Sequence, residues 1–166
     1  MKKVLLTIVF LLFFHNFLFG LEPLKPKVEP KANELAADFS LLDLDGNKVS
    51  LSDFKGKPTV LFFWTTRCPY CRKDLKTLND IHPRLAKDGC ELLTIDVAEP
   101  TYRVKNFVER EYLNFKVLLD SDTEVAYSYD ILGVPTYVFV DKNGHIVFKG
   151  HYFHQAKYKD LIKKDE

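Results

Sequence analysis

Apolar residues fall along this chain in runs of two kinds. Thr59–Trp64 reads TVLFFW and Cys90–Val97 reads CELLTIDV. Continuous apolar and β-branched runs of that length predict strands buried on both faces of a sheet. Between them Leu75, Leu78, Ile81 and Leu85 recur at spacings of three and four. That is the stripe of an amphipathic helix, opened by Pro69 in its first turn, disturbed at Pro83 and ended by Gly89. Val104, Phe107 and Val108 predict a second helix over 101–112, Lys116–Leu119 a short strand, and Thr123–Tyr129 a short helix. Two hairpins are signalled by turn residues between strand-like runs. One spans Phe39–Leu51 around Asp45-Gly46-Asn47; the other joins Thr136–Asp141 to His145–Lys149 through Asp141-Lys142-Asn143-Gly144. A last helix runs from Gln155 to Lys164. Strands alternating with helices predict an α/β layer fold, and the closing hairpin makes its central sheet mixed.

The first twenty residues have another pattern. Lys2 and Lys3 precede an apolar run, Val4–Phe14, broken only by Thr7; His15 and Asn16 interrupt it, and no acid occurs before Glu22. Two outcomes fit: a secretory signal cut after Gly20, or a retained membrane anchor over residues 4–21, at the short limit of a span. Either one exports the remaining chain to the periplasm or to the extracytoplasmic face of the membrane, where disulfides persist. Residues 21–33, LEPLKPKVEPKAN, lack apolar density and predict an extended tether. Residues 34–166 remain as one folded domain. Of the 166 residues 46% are hydrophobic and 28% charged, which excludes a disordered or low-complexity chain. The formal charge is +1, and without residues 1–20 it is −1, from 22 Lys+Arg against 23 Asp+Glu. Nothing electrostatic points to nucleic acid.

The candidate chemistry lies where the strand TVLFFW runs through Thr65-Thr66-Arg67 into Cys68-Pro69-Tyr70-Cys71 and a helix. Helical positions i and i+3 lie about 5–6 Å apart, within the range a disulfide bridges. A C-x-x-C opening a helix can therefore close a bond and release it again. The helix N-terminus offers unpaired N–H groups and partial positive charge, both of which favour a thiolate at Cys68. Arg67 adds positive charge, and Pro69 costs no hydrogen bond there. Cys68 is thus the expected attacking sulfur and Cys71 the resolving one. A zinc site and a static structural disulfide are the competing readings. Structural zinc needs four ligands, and a bridge within one helical turn constrains almost no loop.

These residues resemble the thioredoxin superfamily, and within it the exported ResA/TlpA-like thiol–disulfide oxidoreductases. FFWTTRCPYCRKDL, DLDGNKVSLSDFKGKPTVLFFW and GVPTYVFVDKNGHIVFKG carry the resemblance, over about residues 34–164. It implies a thioredoxin-like fold with a mixed sheet of four to five strands flanked by helices. It implies that Pro135 of Gly133-Val134-Pro135-Thr136 is cis and faces the disulfide, with the backbone of Val134 pairing with a substrate chain. It also implies that Trp64, Arg67, Pro69, Tyr70 and Asp74 shape the site. Asp74 would tune the cysteines or relay a proton; an ordinary first-turn acid is the alternative. Three departures stand out. Arg67 replaces the usual tryptophan before the first cysteine, Phe62 occupies the position of thioredoxin's buried acid, and the Pro-Tyr dipeptide is closer to glutaredoxins.

The function expected is reduction of disulfides in partner proteins, such as an apocytochrome c or a metal-assembly factor. It needs a membrane thiol electron donor and no cofactor or metal beyond the Cys68–Cys71 pair. Two other classes stay open. Thr65-x-x-Cys68 fits the core of a thiol peroxidase, although the earlier proline of that motif is absent. The thiolates also suit a Cu(I)-binding or delivery module. Cys90 reads as a buried small hydrophobe. His151 and His154 read as packing or surface residues rather than metal ligands, and the lysines at 157, 159, 163 and 164 as a solvated helix face.

Overall fold

The computed structural model describes residues 34–163; the signal, anchor and tether expected within residues 1–33 lie outside them. In chain order the elements are β1 (Ser40–Asp43), β2 (Lys48–Ser50), a single 3-10 turn (Leu51–Phe54), β3 (Thr59–Trp64), α1 (Pro69–Lys87), β4 (Glu91–Val97), α2 (Thr101–Arg110), β5 (Lys116–Asp120), α3 (Glu124–Ser128), β6 (Thr136–Val140), β7 (Ile146–Gly150) and α4 (Gln155–Leu161).

The apolar run TVLFFW makes β3 the centre of the sheet: all six of its residues are buried. It pairs parallel with β4 on one side and antiparallel with β6 on the other. The alternation of a strand then divides the core in two. Val60, Phe62 and Trp64 face Leu75, Leu78 and Leu85 of α1, Val104 and Phe107 of α2, and Tyr158 and Leu161 of α4. Leu61 and Phe63 face the opposite layer, with Val125 and Ala126 of α3, Tyr129 and Phe39. The apolar stripe of α1 is what presses that helix, and the cysteines at its start, onto the end of β3.

The sheet order is β2-β1-β5-β4-β3-β6-β7. The mixed α/β architecture matches expectation, but seven strands correct the four to five that the resemblance implied. The N-terminal hairpin is the cause. Its strand β1 pairs antiparallel with β5, Leu42 opposite Leu119 and Asp43 opposite Leu118, and so extends a five-stranded core at one edge. The hairpin turn is built as the composition predicts. Gly46 takes φ +83°, and the Asp43 carboxylate accepts from the N–H groups of Asp45 and Asn47. Pro83 does not end or break α1, which continues to Lys87. Proline removes one N–H from the ladder, and burial of Leu85 just beyond it holds the helix to the core. Among the described residues no helix is long and apolar enough to cross a membrane.

Candidate active site

Cys68 is the N-cap of α1, and its Sγ accepts a hydrogen bond from Cys71 N at 3.1 Å. Pro69 fills the first helical position, where a missing N–H costs nothing. Cys68 and Cys71 are joined as a disulfide, with Cα atoms 5.2 Å apart. The two sulfurs differ in access. Cys71 is fully buried, Cys68 is half-buried, and Pro69 and Tyr70 beside them are exposed, Tyr70 at 75%. A partner therefore reaches Cys68 first.

The turn from β3 into α1 is held from beneath by Glu99. Thr66 donates both its backbone N–H and its hydroxyl to the Glu99 carboxylate, the hydroxyl at 2.9 Å. Arg67 and Arg103 each bring a guanidinium nitrogen to 3.5 Å from Glu99 Oε1. Arg72 Nε donates to the Thr66 carbonyl at 2.7 Å, closing the turn from the helix side. Burial alone would raise the pKa of Glu99; the hydrogen bonds from Thr66, Asp96 and Arg103 outweigh it and hold the group below its ordinary value. Asp96 lies opposite Trp64 in the sheet. Its two oxygens meet no N–H or hydroxyl donor. Burial first, and the Glu99 charge second, push its pKa up to about 9. At neutral pH Asp96 is thus protonated, and as an acid it donates to Glu99 rather than accepting from anything. Arg67, which the sequence assigns to the support of Cys68, pairs its guanidinium with Glu99.

Across from the disulfide, the Val134–Pro135 bond is cis, and the Val134 carbonyl oxygen lies 3.7 Å from Cys68 Sγ. His151 anchors this loop. Its Nδ1 is 2.8 Å from the Pro135 carbonyl and 3.2 Å from Thr136 Oγ1, while the Thr136 hydroxyl donates to Gly133 O at 2.6 Å. With its proton on Nδ1 the ring donates to the Pro135 carbonyl. Leu132, two residues before Val134, is fully exposed.

Asp74 belongs to the second turn of α1 and is half-buried, so it is not a first-turn acid on the helix dipole. The Tyr137 hydroxyl donates to its Oδ2 at 3.0 Å. Burial raises the pKa of Asp74 against the opposing effect of that hydrogen bond and of Lys73. Trp64 is fully buried and packs on Phe107 with ring centroids 5.6 Å apart, beneath the site rather than on its surface. Phe62 packs on Tyr137 at 4.5 Å. Cys90 is buried and free, its thiol pushed up to about 12, chiefly by burial. His154 caps α4, accepting from Lys157 N, and stacks on Tyr152. Among the described residues no three His, Cys, Asp or Glu side chains gather as a metal site.

Sequence reasoning misses five participants: Thr66, Asp96, Glu99, Tyr137 and His151. Asp96 carries a signal, as the one acid deep inside the apolar run CELLTIDV. The others carry none, because their roles arise only from contacts across the fold.

Comparison with known proteins agrees with this geometry. The chain is similar to ResA thiol-disulfide oxidoreductases of Bacillus thuringiensis subsp. konkukian, 37% identical over 112 residues, and of Geobacillus kaustophilus, 38% over 111. Those alignments cover 68% and 67% of this chain but 65% and 64% of the relatives, so the match spans just under two thirds of their length. Among solved structures, StoA from Bacillus subtilis superposes with a TM-score of 0.66 at 26% identity, covering 78% of this chain and 98% of that one. A thiol:disulfide interchange protein DsbE of Chlorobium tepidum, described as putative, superposes at 0.74 over 80% of this chain and 99% of its own; at 22% identity it speaks to the fold alone. The fold is thioredoxin-like. A family model described as AhpC/TSA matches residues 32–149, a stretch that contains both the disulfide and the cis-proline loop, and the chain belongs to the AhpC/TSA family.

Proposed function

We propose that this chain is an exported thiol–disulfide oxidoreductase that reduces disulfides in partner proteins. The observation that carries this reading is the pairing of a half-buried Cys68 at a helix N-cap with a fully buried Cys71, under a peptide carbonyl that approaches Cys68 from the cis-proline loop. An accessible sulfur backed by a shielded one is what a two-step exchange requires.

In the reduced protein, the Cys68 thiolate attacks one sulfur of the substrate disulfide. A Cys68–substrate bond forms and the other substrate sulfur leaves as a thiolate. Cys71 then loses its proton, attacks Cys68 Sγ and expels the second substrate thiolate. Two electrons have passed from Cys68 and Cys71 to the substrate, and the chain is left with its own disulfide. Asp74, one helical turn beyond Cys71, half-buried and of raised pKa, serves as acceptor of the Cys71 proton. The Val134 backbone pairs with the substrate chain, and exposed Tyr70 and Leu132 give it an apolar rim. Trp64 supports the site from within the core. The cycle needs a dithiol donor to reduce Cys68–Cys71 again; an exported protein would draw it from the membrane. The export reading rests on the apolar run of residues 1–20.

The test is the reduction potential of Cys68–Cys71, read by equilibrating the purified chain in thiol redox buffers and trapping free thiols. A value near that of thioredoxin, about −270 mV, supports a reductant, and one near DsbA's, about −120 mV, makes the chain an oxidant. Turnover of a disulfide substrate must also vanish in Cys68→Ser. Hydrogen peroxide consumed faster than disulfide would instead select the peroxidase reading that Thr65-x-x-Cys68 keeps open.

A further inference from the structure

Beside the disulfide lies a cleft of about 290 Å³ lined by Thr66, Arg72, Tyr102, Arg103, Asn106 and Arg110, with Phe107 at its floor. It begins two residues before Cys68 and one after Cys71. Two guanidinium groups gather on one ring here: Arg72 at 5.8 Å and Arg110 at 5.5 Å from the Phe107 centroid. The ring face attracts each of them, but like charges brought to one ring repel each other. An anion between them removes that cost.

The local acids do not meet the demand. Glu99 is buried and lies at 3.5 Å from both Arg67 and Arg103, so one carboxylate serves two guanidiniums. Asp96 next to it is held neutral. Glu111 is likewise shared, by Arg110 at 3.4 Å and Lys76 at 3.6 Å. Among the described residues Arg72 faces no carboxylate; its Nε is spent on the Thr66 carbonyl. Glu109 lines a different cleft with Lys105 and Val108. Among the described residues, then, Arg67, Arg72, Arg103, Arg110 and Lys76 have only the Glu99 and Glu111 carboxylates as ion-pair partners, on a chain whose total charge is close to zero. Tyr102, 65% exposed, provides an aromatic edge at the rim.

We infer that this arginine-lined cleft binds carboxylate side chains of the partner protein, in a segment flanking its reacting cysteine. The inference rests on the oxidoreductase reading and adds the chemistry of its substrate: disulfides set in acidic sequence are preferred. Guanidiniums suit the task because their planar fork matches a carboxylate.

The experiment uses the full chain and two synthetic peptides that each carry one disulfide. One has Asp and Glu flanking a cysteine, and the other has Asn and Gln at the same positions. Reduction of the acidic peptide is expected to have a kcat/KM about tenfold higher at about 20 mM salt, with the ratio falling toward one at about 300 mM. In Arg110→Gln the ratio drops about threefold, and Arg110→Lys, which keeps the charge but loses the fork, falls between Arg110→Gln and the unaltered chain. Arg110 is a largely exposed side chain, so neither variant threatens the fold. Equal rates for the two peptides at low salt overturn the inference and leave the oxidoreductase reading standing. If neither peptide is reduced, both fall together.

Discussion

Cys68 and Cys90 stand at opposite ends of one helix, and the difference between them shows how position makes a thiol reactive. Cys68 opens α1, where unpaired N–H groups point outward and Cys71 N donates to the sulfur. Cys90 lies past the other end, after Gly89, where the helix presents carbonyls; its own N–H donates to the Leu85 carbonyl. Burial raises the Cys90 thiol, and the carboxylates of Glu91 and Asp88 add to the shift, up to about 12. One end of the helix gathers what stabilises a thiolate, and the other gathers what opposes it. Access divides the same way, since Cys90 is 4% exposed and Cys68 borders open surface.

The most demanding way to break this contrast is alkylation of the reduced, native protein near pH 8. Cys68 is expected to react on the order of a thousandfold faster than Cys90, because the thiolate is the nucleophile and Cys90 holds its proton. Mapping modified peptides over time measures it. Modification of native Cys90 at the rate of an ordinary free thiol would remove the contrast.

Asp96 sharpens it by showing the same balance for a carboxyl. Its folded pKa, about 9, lies above the value of about 4 expected unfolded. The folded state therefore binds the extra proton between those limits. The stability this contributes is complete below pH about 4 and is lost as pH rises through about 9. Glu99, with its lowered pKa, works in the opposite sense, but only at the acid end. Asp96→Asn, a neutral isostere able to donate to Glu99, should flatten the decline and raise Tm at pH 9 by about 4 °C, the shift that about 1 kcal/mol gives a domain of this size. Thermal melts from pH 5 to pH 9 check this, and parallel curves for the two proteins would contradict it.

A smaller effect is expected at Tyr137. Tyr137→Phe deletes the donor to Asp74 while keeping the ring that packs on Phe62 and Phe153. The loss of one hydrogen bond costs about 1 kcal/mol. Without that bond the pKa of Asp74 rises further, so the rising limb of the pH–rate profile for disulfide reduction moves to higher pH. An unchanged profile alongside a lowered Tm would leave Asp74 a structural role only.

Much of this molecule is legible from sequence alone. The apolar run TVLFFW names the central strand, the Leu75–Leu78–Leu85 stripe names the helix and its buried face, and Cys68-Pro69-Tyr70-Cys71 places a dithiol on the first turn. Each of these depends on residues a few positions apart, where periodicity of side chains and backbone geometry act directly. What only the tertiary structure decided involves partners far apart in the chain. Thr66 meets Glu99 across 33 residues and Asp74 meets Tyr137 across 63. The pairing of β1 with β5 widens the sheet to seven strands, and Trp64 becomes core once Phe107 covers it. The protonation of Asp96 and the gathering of arginines beside the disulfide belong to the same class. Charge, burial and hydrogen-bond supply depend on distance through space, and it is the crossovers of the sheet that set those distances.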